Sequence, residues 1–122
     1  MKRGEIWTLA GGGDYTRKPR PVVILRDDHF DTLQSITICP FTTSSVGAPL
    51  FRIPVVPTEQ NGLEAMSRIM VDKITTVRKV RLGTLVGRLD DEDVIRLNRA
   101  MLVFLGLTTS PRRATASESA SE

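Results

Sequence analysis

The sequence predicts a mainly β domain, a small β-barrel closed by one C-terminal helix. Three observations carry that prediction. Short runs of strand-forming residues recur at close spacing, separated by Gly, Pro, Asn and Asp turn signals. One amphipathic helical pattern lies near the C-terminus, and its apolar stripe needs a sheet to cover. The chain has 122 residues, a length that suits one domain and buries roughly two-thirds of its unfolded surface without staples.

Residues 4–9 alternate polar and apolar and read as the first strand. Gly11-Gly12-Gly13, followed by Asp14 to Lys18, cannot continue it and reads as a mobile loop. Residues 20–26 form the second strand, apolar on both faces and therefore central. Residues 27–31 make a turn or a single helical turn. Residues 34–41, rich in β-branched side chains, form the third strand, and residues 42–47 a loop. Residues 50–55 form a fourth strand, closed by Pro57, and Asn61-Gly62 is a turn signal. Residues 67–77 read as one long bent strand or two short ones, and residues 85–88 as the last strand.

The helix begins at Asp90, an N-cap followed by Asp91, Glu92 and Asp93 in the first turn, where they complement the helix dipole. Leu89 and Val94 are spaced as a hydrophobic staple. Val94, Leu97, Met101, Phe104 and Leu105 share one face, and Gly106 is a natural stop. Thr, Ser, Ala, Arg and Glu then dominate, so the expected organisation is a barrel domain over 1–107 and a disordered tail over 108–122.

Net charge is +3, with a pI near 9.5. In the tail Arg112 and Arg113 balance Glu118 and Glu122, so the excess sits on residues 1–107. That is a mild pointer to a polyanionic partner. The single cysteine, Cys39, sits in an apolar run; it allows no internal disulfide and suits a buried thiol in a reducing cytoplasm. The N-terminus has positive charge without an apolar run behind it, unlike a signal peptide, and no stretch is long enough to span a membrane. One histidine, His29, excludes a paired-histidine ribonuclease and offers no metal cluster, its neighbours Asp27, Asp28 and Asp31 reading as caps and solvating charges. No Gly-x-Ser-x-Gly element, P-loop or dinucleotide fingerprint is present.

Two residues stand out as a candidate reaction centre. Arg20 lies between Pro19 and Pro21, which fix φ and bias their neighbours toward extended geometry, at the mouth of the apolar strand. A guanidinium fixed on a rigid element suits a phosphate. Thr42 follows Pro40-Phe41 where the third strand leaves the sheet, and its hydroxyl can donate to a phosphate oxygen. Pairing of strands two and three would bring them together. Each has an ordinary alternative: a surface charge at a strand start, and a strand-end threonine bonded to its own backbone. Arg17, Lys18, Arg26 and Arg68 are candidates for a positive track along a nucleic-acid backbone, although such charges also serve simply as a solvated face. Tyr15, on the glycine-rich loop, is placed to stack a base. Phe51 and Trp7 read as core residues.

The ordered pieces Arg3-Gly4-Glu5-Ile6-Trp7, Arg20-Pro21-Val22-Val23-Ile24, Cys39-Pro40-Phe41-Thr42, residues 67–77 and residues 87–107 resemble the MazF/PemK family of toxin endoribonucleases over residues 2–107. The resemblance implies a CcdB-like barrel related to SH3 barrels, a homodimer, and a MazE-like cognate antitoxin. It implies metal-independent, sequence-specific cleavage of single-stranded RNA by 2′-hydroxyl attack on the phosphate, leaving a 5′-hydroxyl and using no cofactor. It makes Arg20 and Thr42 catalytic. Many members carry a glutamate or glutamine near the Arg-Pro motif, where this chain has Thr16, Arg17, Lys18 and Pro19; Asp72 occupies the acidic place some members have in the late strand, within the RNA site. Two alternatives stand beside this reading. One is a CcdB-like, non-enzymatic gyrase poison, a branch that meets its target through a tryptophan at the extreme C-terminus; residues 108–122 contain none. The other is a catalytically inactive RNA- or protein-binding barrel.

Overall fold

A computed structural model describes residues 1–11, 18–45 and 51–108. Seven strands and one helix follow in the order β1 (Glu5–Leu9), β2 (Arg20–Ile24), β3 (Ser35–Thr42), β4 (Arg52–Val55), β5 (Ser67–Met70), β6 (Thr75–Arg78), β7 (Leu82–Arg88) and α1 (Asp91–Phe104). All strand pairs are antiparallel, in the order β4-β5-β3-β2-β1-β7, with β6 also on β3. The long β3 is the hinge of this arrangement. Its first half pairs with β6 and its last two residues with β5, so one strand passes between two sheets and curls them around a core.

The expectation that β2 is central holds, and the reason is visible in the packing. Val23 and Leu25 face one apolar cluster, with Ile6, Phe41, Ile69 and Leu97. Val22 and Ile24 face a second, with Ile36, Ile38 and Val77. A strand buried on both faces carries a continuous apolar run rather than an alternating one.

Residues 67–77 resolve into two strands, because Val71–Lys73 forms a 3-10 turn that buries Val71 and re-aims the chain from β5 to β6. The expected turn after β2 is a 3-10 helix at Asp28–Phe30, capped by Asp27. The last strand starts three residues earlier than its sequence pattern suggests, at Leu82, because pairing with β1 extends it through the exposed Gly83 and Thr84.

The helix begins as read. The Asp90 carboxylate accepts from the Asp93 backbone N–H at 2.8 Å, and Leu89 is buried. Its apolar stripe is only half used. Leu97 is buried and Val94 and Met101 pack against the core, but Phe104 and Leu105 are exposed, as the last turn runs beyond the sheet. Phe51 and Trp7 are half-buried rather than core, Phe51 meeting Phe104 with ring centroids 5.3 Å apart. Among the described residues no helix is long and apolar enough to cross a membrane. The expected tail lies outside the described residues, except for Thr108.

Candidate functional site

Strand pairing assembles the site. Val22 pairs with Pro40, Val23 with Cys39 and Ile24 with Ile38. The same register carried to the strand ends sets Arg20, the first residue of β2, opposite Thr42, the last of β3. Both line one open cleft of about 250 Å³ with Pro21, Phe41, Thr43 and Ser67. Arg20 pairs with Leu9 of β1, which holds its backbone while its side chain is exposed. Among the described residues no carboxylate lines this cleft.

Thr42 keeps its local bond as well. Its hydroxyl oxygen accepts from the Ser44 backbone N–H at 3.2 Å. That bond uses a lone pair and leaves the hydroxyl hydrogen to donate into the cleft. Arg68 pairs with Thr42 across β5–β3, and its guanidinium donates to the Ser44 carbonyl at 3.4 Å, bracing the chain as it leaves β3.

A second hollow, of about 160 Å³, adjoins the cleft through Arg20. Among the described residues, Lys18, Arg20 and Arg81 contribute three cations to it and no carboxylate lines it. Sequence reasoning missed Arg81. The available signal was the basic run Arg78-Lys79-Val80-Arg81, which looks like a solvated face. What distinguishes Arg81 is non-local: β7 pairs with β1, and the Arg81 guanidinium donates to the Ala10 carbonyl at 2.9 Å, which fixes it beside Arg20.

Two expected RNA contacts are placed elsewhere. Arg26 is buried, its side chain 5% exposed, and pairs with Asp31 at 3.2 Å and Asp28 at 3.7 Å while donating to the Met1 carbonyl at 2.8 Å. The acidic turn that follows β2 folds back and takes up this arginine, so it is withdrawn from any surface track. Asp72 is held by Arg52, whose Nε and Nη2 donate to its two oxygens at 3.3 and 3.2 Å. Those bonds hold its carboxyl below the usual carboxylate range. It lines none of the hollows around Arg20. Tyr15 and Arg17 lie outside the described residues.

Cys39 and His29 are bystanders. Burial, reinforced by the Asp72 carboxylate, pushes the Cys39 thiol up to about 12, which makes it no nucleophile at neutral pH. His29 is exposed and its pKa raised by its hydrogen bond with Asp27, at 2.6 Å. Among the described residues no group of three or more His, Cys, Asp or Glu is placed to hold a metal ion. A larger, apolar hollow of about 430 Å³ lies between Phe51 and the end of α1 and shares no residue with the cleft.

A family model described as PemK-like, MazF-like toxin of type II toxin–antitoxin system matches residues 2–105. The chain is 52% identical over 107 residues to a probable endoribonuclease MazF of Mycolicibacterium smegmatis, covering 88% of this chain and 98% of that protein. The fold is similar to that of the Mycobacterium tuberculosis toxin MazF-mt6, with TM-score 0.72 and 26% identity, covering 86% of this chain and 99% of that one. It is also similar to a mycobacterial endoribonuclease solved in complex with its cognate antitoxin, with TM-score 0.73 and 19% identity, covering 90% and 99% of the two chains.

Proposed function

The chain belongs to the PemK-like, MazF-like toxin family of type II toxin–antitoxin systems, and we propose that it is an endoribonuclease whose reaction centre is the Arg20–Thr42 cleft. The observation that carries the assignment of the centre is the shared cleft itself. Arg20 and Thr42, from the ends of two adjacent strands, line one solvent-open space, beside two further cations.

A scissile phosphate fits that chemistry. The ribose 2′-oxygen attacks its own phosphorus in line as its proton leaves. The bond from phosphorus to the 5′-oxygen breaks, and that oxygen takes up a proton. The products are a 2′,3′-cyclic phosphate and a 5′-hydroxyl, with no redox change and no water consumed. Negative charge grows on the non-bridging oxygens along this path, so a fixed guanidinium stabilises the transition state more than the ground state. Arg20 supplies that group, and Thr42 donates a hydrogen bond that orients the phosphate. Lys18 and Arg81 hold a flanking phosphate and contribute to binding. In-line attack needs a nucleotide free to splay its base and turn its ribose, which favours single-stranded RNA.

The partners follow from the same surface. A cognate antitoxin would neutralise a cationic cleft with an extended acidic segment that orders on binding. Action on cellular RNA, with an unbridged buried thiol, fits the cytoplasm, and the active form is a homodimer.

The test is digestion of a long RNA by purified protein in EDTA, followed by mapping of every new 5′ end and its chemistry. Cuts bearing 5′-hydroxyls at recurring sequences, absent with Arg20→Ala, are expected. An RNA left whole by the wild type would favour a gyrase poison or an inactive barrel.

A further inference from the structure

A further hollow, of about 300 Å³, opens beside the reaction cleft and shares Pro21, Thr43 and Ser67 with it. Its character is opposite to that of the cationic hollow on the other side. Pro19, Pro21, Leu63 and Val86 give it apolar walls, and Glu64 is the one ionisable residue in its lining among the described residues. Two of its hydroxyls are already engaged: Ser67 donates to the Ala65 carbonyl at 2.9 Å, and the Thr8 oxygen accepts from the Thr84 N–H at 2.8 Å. Glu64 is exposed and has no hydrogen bond or ion pair with any described residue.

The loop that presents Glu64 is built to hold still. Asn61 is buried; its side-chain oxygen accepts from the Thr58 and Leu63 N–H groups at 2.9 and 3.0 Å, and its amide donates to the Val56 carbonyl at 2.9 Å. Gly62 adopts φ +70°, and a Cβ there would stand 2.2 Å from the Val86 carbonyl oxygen. The backbone before Glu64 is thus seated against β7. A carboxylate on a fixed loop, at the rim of an apolar slot, is suited to reading the edge of a flat ring.

We propose that this hollow is a nucleobase subsite next to the scissile phosphate, in which Glu64 selects guanine. The inference rests on the endoribonuclease reading given above. A phosphate is disfavoured here, since Glu64 would repel it and no cation among the described residues lines the space. Proline rings and aliphatic side chains offer a base flat apolar contact. Of the four bases only guanine presents two adjacent donors, N1–H and the N2 amino group, which match the two oxygens of one carboxylate. Cytosine and adenine place a ring-nitrogen lone pair beside their amino group. Uracil sets its single N–H between two carbonyls. Each of these turns an acceptor toward the Glu64 carboxylate.

The test pairs changes in protein and RNA. Wild-type protein, Glu64→Gln, Glu64→Ala and Arg20→Ala are each given a long RNA, and cut sites are mapped. Short substrates built on the wild-type site then carry guanine or inosine, which lacks the N2 amino group, at the indicated position. Wild-type sites should share guanine at one fixed place beside the cut. Inosine should slow wild-type cleavage about tenfold or more, and the Glu64 variants should lose that penalty while accepting other bases. A wild-type motif without guanine, an inosine penalty that survives in both Glu64 variants, or loss of all cleavage in variants that melt like wild type would each overturn the assignment while leaving the nuclease reading intact. Failure of the wild type to cut any RNA would remove both.

Discussion

Replacing Arg20 with alanine separates a chemical role from a structural one more cleanly than any other change in the molecule. The side chain is exposed and shares no ion pair with a described residue, so its loss opens no cavity and strands no buried charge. Stability should stay within about 0.5 kcal/mol of wild type by urea melt. Cleavage should behave differently. Loss of one preorganised donor at a developing oxyanion costs about 10²–10³ in rate, or roughly 2.7–4 kcal/mol. Most of that loss should appear in kcat, measured by single-turnover cleavage of a short substrate at saturating protein, because the charge Arg20 meets grows on the way to the transition state. Arg20→Lys should recover little of it, since an ammonium cannot fork onto two phosphate oxygens. Arg81→Ala is the matched control. It removes a cation from the adjoining hollow and should weaken binding, lowering the salt slope of RNA affinity by about one while leaving kcat near wild type. An Arg20→Ala protein that turns over within a few-fold of wild type, or whose loss is wholly in affinity, would remove Arg20 from the chemistry.

Three further outcomes test the frame around the site. Cys39, pushed up to about 12 against an ordinary 9.0, holds roughly a thousandfold less thiolate at pH 8 than a free thiol; iodoacetamide labelling should be slower by at least that factor in native protein and recover in urea, and equal rates in both would contradict its burial. Asp72→Asn should cost about 1–2 kcal/mol at pH 7 by urea melt, as it frees the half-buried Arg52 from its partner. Because Arg52 depresses the folded-state pKa of Asp72, this stabilisation is complete above the ordinary carboxylate pKa and fades as pH falls through the lower folded value; a wild-type–variant gap that does not narrow on acidification would argue against the pair. Gly62→Ala should destabilise by about 2–4 kcal/mol, since φ +70° and a Cβ 2.2 Å from the Val86 oxygen both oppose it, and an unchanged melt would contradict the seating of this loop on β7.

Much of this architecture was legible because local signals and tertiary need agree. The unbroken apolar run in β2 announces burial on two faces, and the structure divides it between two clusters. Asp90 with its acidic first turn marks the helix start to the residue. The Arg20–Thr42 pairing was legible only as a possibility, since nothing local sets the register of β2 on β3. Arg26 shows where reading by charge alone fails. It ends the same run of residues that Arg20 begins, yet three aspartates follow within five positions and the turn brings two of them, Asp28 and Asp31, onto it. Arg81 and Glu64 were illegible for a different reason. Each gains its place through a strand or loop distant in sequence, Arg81 through β1 and Glu64 through the packing of Gly62 on β7.

The position of the cleft follows from how the barrel divides its labour. Catalysis by electrostatic preorganisation requires donors that do not relax when charge develops, so the groups must be wet at their tips and rigid at their roots. The interior of β2 and β3 cannot supply them, because both faces of β2 are committed to cores. The ends of those strands can. Arg20 is rooted by pairing to β1 and by two flanking prolines, and Thr42 by pairing to β5 and by the bond from Ser44. The lining differs in sign on the two sides of this pair: Lys18 and Arg81 extend the positive charge on one, and Glu64 supplies negative charge on the other. On the proposed reading, a strand of RNA crossing such a trough would meet a phosphate contact, a reaction centre and a base contact in sequence, and would satisfy all three in only one polarity. The same asymmetry that fixes direction would then also provide the selectivity of a nuclease that cuts at defined sites.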